Sequence, residues 1–106
     1  MNRRTAITLA LALAAGSTPA AAKHSITYTG GPGDSFATAI IILGATDSSE
    51  GVQAEYDWLS QNRPGAQVLE QALLSDNDRM YDMLTIRKQG HKEQVYFDIT
   101  DFFGRF

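Results

Sequence analysis

Residues 38–44, TAIIILG, are a run of apolar side chains broken only at its polar and glycine ends and rich in β-branched residues. That is the pattern of a strand buried on both faces or nearly so. Upstream, Ile26 and Tyr28 alternate with polar neighbours and allow a short edge strand. Gly30, Gly31, Pro32 and Gly33 then break regular structure. Downstream the period changes: Val52, Tyr56 and Leu59 recur at i, i+4 and i+7, which predicts the core-facing stripe of a helix. Asp47 is placed to cap that helix, with Glu50 three residues on. Pro64 and Gly65 stop it.

The next segment, AQVLEQALLSD, residues 66–76, is rich in good helix formers. Its length, and the strand-like segments that follow, favour a strand over residues 67–74. SDND at 75–78 is turn chemistry. RMYDMLTIRK then alternates with Met80, Leu84 and Ile86 on one face. KEQVYFDI alternates with Val95, Phe97 and Ile99 on one face, and Gly90 between the two segments predicts a hairpin. A two-residue Gly90–His91 loop would set Leu84 opposite Phe97, Ile86 opposite Val95, and Lys88 opposite Glu93, matching apolar with apolar and base with acid. Beyond Ile99, Thr100 or Asp101 is expected to cap one helical turn. That turn folds Phe102 and Phe103 against the end of the sheet. The expected fold is α+β: one helix packed on a mostly antiparallel sheet of about four strands, in the order β-α-β-β-β.

The first 22 residues change the picture. Arg3 and Arg4 precede an apolar stretch from Ile7 to Ala15, and Ala20 and Ala22 form an A-x-A site. This is the pattern of a cleaved secretory signal peptide, too short for a membrane span. The expected organisation is a signal peptide at 1–22, a Gly-rich lead at 23–37 and a single α+β domain at 38–106, in a periplasmic or secreted protein. Of the 106 residues, 84 remain after removal of 22, and loss of Arg3 and Arg4 takes the net charge from −3 to −5. An acidic chain without a basic patch argues against nucleic acid as a partner. No second apolar segment follows, so no membrane span is expected in the mature chain. The absence of cysteine removes disulfide and thiolate chemistry.

Candidate chemistry is sparse. His24 lies next to the expected mature N-terminus and His91 lies in a turn, and neither sits in a pattern that aims it at a nucleophile. No zinc ligand set is present. GGPGDS lacks the lysine of a phosphate loop, and DNDRMYD lacks the glycine and distal glutamate of a calcium loop. No catalytic residue, metal or cofactor is assigned. Four residues stand out as binding candidates. Asp82 shares a strand face with Met80, Leu84 and Ile86, where a carboxylate needs partners. Asp98 is a second acid on the neighbouring strand. Trp58 lies about 120° around the helix from the expected stripe, given about 100° per residue. Gly51 and Ala54 share its side, and Glu55 lies at the border.

The leading functional expectation is a small exported non-enzymatic module that binds a protein or envelope component. The alternative is a small periplasmic hydrolase-like enzyme using Asp82 and Asp98 with the Gly-rich loop. A third reading is a small-ligand binder in a cleft between helix and sheet.

The ordered set GGPGDSF…AIII…GA, GVQAEYDWL, YDML and VYFDITDFFGRF resembles a group of small bacterial proteins of uncharacterised function. They are marked by a Gly-rich lead, an A-E-Y-x-W-L helix, a Y-D strand and a closing Y-F-D-I-x-x-F-F-G-[KR]. The likeness runs from Gly30 to Arg105, with Pro32 where an acidic residue is expected in the lead. It implies a strand at residues 67–74 and carries no activity, cofactor or site residue.

Overall fold

The computed structural model describes residues 25–105; the signal-peptide pattern lies outside the described residues. The chain runs β1 (Thr27–Gly30), β2 (Ile40–Leu43), α1 (Ser48–Asn62), β3 (Gln67–Asp76), β4 (Arg79–Lys88) and β5 (His91–Asp98). The strands form a five-stranded sheet in the order β1-β2-β5-β4-β3. All neighbours are antiparallel except β2 and β5, which run parallel. The α+β class is as expected, with β1 as a fifth strand. Among the described residues no helix is long and apolar enough to cross a membrane.

The topology explains where α1 lies. The chain leaves β2 through α1 and reaches β3 at the far edge, and β4 and β5 then fill the space between. The helix therefore crosses one face of the sheet, a split β-α-β arrangement. Side chains alternate along each strand. Ile40 and Ile42 of β2, Leu84 and Ile86 of β4, and Val95 and Phe97 of β5 make the core beneath the helix. The opposite face carries Tyr81 and Tyr96, edge-on to Phe36 at 4.8 and 5.1 Å between ring centroids.

The helix start matches its sequence signals. Asp47 Oδ1 accepts from the Glu50 amide at 2.9 Å, and Glu50 Oε1 reaches back to the Thr46 amide at 2.8 Å. The buried face differs from the expected stripe. Gly51, Ala54, Glu55 and Leu59 are buried, whereas Val52 and Tyr56 stay exposed. The small residues let the helix sit close to its neighbours, and close packing outweighed the preference for burying the larger side chains.

Both hairpins turn through two residues with positive φ, the type I′ requirement. Asn77 and Asp78 (φ 51° and 64°) join β3 to β4, and Gln89 and Gly90 (φ 52° and 81°) join β4 to β5. The second loop is thus one residue earlier than Gly90–His91. Lys88 pairs with His91, Leu84 with Val95, and Asp82 with Phe97. The shift changes every pair by two residues, so the faces stay as expected while the partners change. Placing Gly90 second in the turn, where glycine is preferred in I′ loops, outweighed the Lys88–Glu93 match.

The closing segment makes one turn, with the Phe103 amide on Ile99 O at 2.9 Å. Ile99 O is the first acceptor of the turn, and Asp98 Oδ1 just before it accepts from the Thr100 amide at 3.1 Å, so neither Thr100 nor Asp101 is the cap. Phe102 is buried and Phe103 is exposed, so only the first ring closes the core. Arg105 O accepts from the Ser48 amide at 2.9 Å and ties this segment to the start of α1.

Candidate functional site

Glu55 points from the middle of the helix's buried face and is fully enclosed. Neither carboxyl oxygen has a hydrogen-bond partner among the usual donors. The polar group facing it is Asp82, itself buried at 5% exposure. Two carboxylates cannot bond to each other, but a protonated Glu55 donates to Asp82. Burial first, then that bond and the Asp82 charge, push the Glu55 pKa up to about 10. Glu55 is therefore a neutral acid at pH 7.

Asp98 has a different environment. Alternation along β5 puts it on the face opposite Phe97, paired in register with Tyr81. The Arg79 guanidinium grips both of its oxygens, Nε to Oδ2 at 2.5 Å and Nη2 to Oδ1 at 3.2 Å. Thr100 Oγ1 donates to Oδ1 at 2.7 Å and in turn accepts the Met80 amide at 3.0 Å. Burial works to raise this acid, but the Arg79 and Thr100 bonds together hold it below the usual carboxylate value. Asp82 and Asp98 thus lie on opposite faces of the sheet and do not converge.

In the Gly-rich lead the amides of Gly31, Gly33, Asp34 and Ser35 are all taken up within the chain. Gly33 N donates to Thr38 O at 2.7 Å, and Gly33 O accepts from Tyr96 N at 2.7 Å. Asp34 N and Ser35 N both donate to Thr38 Oγ1. Gly33 has φ +98°, and a Cβ there would strike Ile40 Cδ1 at 2.4 Å. The lead is a packed strap along β5 that delivers Phe36 to the open face.

Trp58 is half-buried. Its ring stands edge-on to Phe97 at 5.6 Å, with the Arg63 guanidinium 5.3 Å from the ring centroid. Arg63 is held by a fork onto Glu93 at 3.1–3.2 Å. Trp58 therefore belongs to the margin of the helix–sheet core. As the sole tryptophan, it reports cleanly: its emission should be blue-shifted relative to free indole and only partly quenched by iodide. Trp58→Ala should cost about 2 kcal/mol in urea melts, less than a fully buried ring. Red emission with full quenching would place the indole in solvent.

Other exposed apolar residues lie on β3 and α1. Leu73 of β3 is 54% exposed and stands directly opposite Asp82 in the β3–β4 register. It therefore shares the helix-side face with the acid pair. Tyr56 lines a cleft of about 210 Å³ with Leu59, Arg63 and Val68, where the end of α1 meets the start of β3. Val52 lies one turn before Tyr56 on the same flank. Among the described residues β3 has no neighbour beyond it, so ten residues of backbone form an unpaired edge.

The structure places the sequence candidates as follows. Glu55 and Asp82 meet under the helix, Trp58 stands at its margin, and Asp98 is bound to Arg79 behind the sheet. Leu73 and the β3 edge were not singled out from sequence. One signal was there: VLEQALLSD contains no lysine, arginine or proline, the residues that commonly protect an edge. Comparisons with family models, with curated proteins and with solved structures found no match.

Proposed function

We propose that this chain is an exported, non-enzymatic interaction module that takes a protein partner by adding a strand to β3. One observation carries the reading: among the described residues β3 is a ten-residue edge whose Leu73 is 54% exposed. Strand addition supplies affinity through main-chain hydrogen bonds and selectivity through alternate side chains. Export to the periplasm or the medium rests on the Arg3, Arg4 and A-x-A pattern. The hydrolase reading has less support, since its two acids lie on opposite faces and the amides of the Gly-rich loop bond within the loop.

A photo-crosslinking residue in place of Leu73, introduced in the producing cell, tests the module. A discrete protein adduct is expected from position 73 and not from Gln61, an exposed position on the helix. Equal labelling from both positions, or none from 73, would remove the support for β3 as the docking edge.

A further inference from the structure

The charges along β3 point to what kind of strand it accepts, an inference that rests on the interaction-module reading above. Glu70 pairs with Thr85 and Asp76 with Arg79 across the β3–β4 ladder, so both acids project on the face away from the helix. Leu73, midway between them, projects on the helix-side face. The regular ladder from Glu70 to Asp76 lies clear of the irregularity at Leu69, which is unpaired between Val68 and Glu70. β3 contains no base. The one arginine opposite this stretch, Arg79, is gripped by Asp98 behind the sheet. The edge therefore presents acid, apolar and acid at three-residue intervals, with the apolar group on the other face.

We propose that β3 binds an extended segment of another protein with a basic residue, a large apolar residue and a second basic residue at positions 1, 4 and 7. The bases lie opposite Asp76 and Glu70, and the apolar residue packs beside Leu73. The pattern reads the same in either strand direction. Opposite charges directly across a ladder stabilise it, and like charges destabilise it. That rule also disfavours a second copy of this chain. The longest self-pairing of residues 70–76 with matched faces is centred on Leu73. It sets Glu70 opposite Asp76 of the copy, twice.

Isotope-labelled exported protein titrated with the synthetic peptides KTTLTTK, ETTLTTE and KTLTTTK tests this by amide NMR. The last peptide moves leucine onto the same face as the lysines. The basic peptide is expected to shift the amides of residues 70–76 and to bind about tenfold more tightly than the acidic one at low salt, from two cross-strand pairs. The gap should narrow as salt rises. The register control should bind more weakly than KTTLTTK. Glu70→Lys combined with Asp76→Lys changes two edge side chains outside the core, and should invert the preference toward ETTLTTE. Acidic and basic peptides binding β3 equally would overturn the charge assignment and leave strand addition standing. A β3-mediated dimer in sedimentation would overturn the choice of partner. No shift in residues 70–76 with any peptide, together with no adduct from position 73, would overturn the module itself.

Discussion

Phe102→Ala is expected to lower stability by about 3–5 kcal/mol, while Phe103→Ala, one residue on, should change it by no more than about 0.5. The two rings differ because one turn of chain sends them in different directions. Phe102 is 2% exposed and Phe103 46%. Phe102 packs against the helix at Gly51, where an added Cβ would come within 2.0 Å of the ring. Gly51→Ala should therefore destabilise by about 1–3 kcal/mol through overpacking, although alanine in a helix interior is normally favoured over glycine by about 1. The double variant separates this contact from any other cause. A methyl at position 51 enters the space vacated by the ring, so the double variant should be less damaged than the sum of the singles, with a coupling of about 1–3 kcal/mol. Urea melts of the four proteins measure it. Additive costs would mean that Gly51 and Phe102 are not packed together.

The same contact shows what was legible in the sequence and what was not. Alternation in RMYDMLTIRK and KEQVYFDI identified the buried faces of β4 and β5, because period two is a local property. The helix span was equally local, set by Asp47, Glu50, Pro64 and Gly65. The buried side of the helix was not local. It depends on Phe102, half a chain away, which fits only against a residue without a side chain. The large residues Val52 and Tyr56 suggested the wrong flank for that reason. The strand at 67–76 ran against its helical propensities, because pairing with β4 outweighs them. Its position at the edge followed from strand order, which no periodicity reveals. For the candidate site, Asp82 was legible as an acid on an apolar face. Its partner was not, since Glu55 was placed at the border of the helix rather than at its centre.

The enclosed Glu55 predicts the steepest dependence of stability on pH. Its folded pKa of about 10 lies above the unfolded value of 4.5, so between these values the folded state holds a proton that the unfolded state has released. The stabilisation is fully present below the unfolded pKa. It is lost progressively as pH rises, at about 1.4 kcal/mol per pH unit, until the folded pKa is passed. Asp98 acts in the opposite sense. Its lowered folded pKa gives stability that is present above its unfolded value of 3.8 and lost as pH falls through the folded one. The combined contribution of these two acids is greatest at about pH 4–5. From about pH 5 to about pH 8 the wild type should lose roughly 4 kcal/mol, a large part of the stability of a small domain. Glu55→Gln keeps the shape and leaves a permanent N–H donor for Asp82. It should flatten the profile and exceed the wild type by several kcal/mol at about pH 8. Glu55→Ala removes the donor and opens a cavity, and should be less stable than Glu55→Gln at every pH. Urea midpoints of the three proteins across this range decide the matter. Parallel profiles for wild type and Glu55→Gln would show that Glu55 is ionised in the folded protein and that the acid pair is not held by a proton.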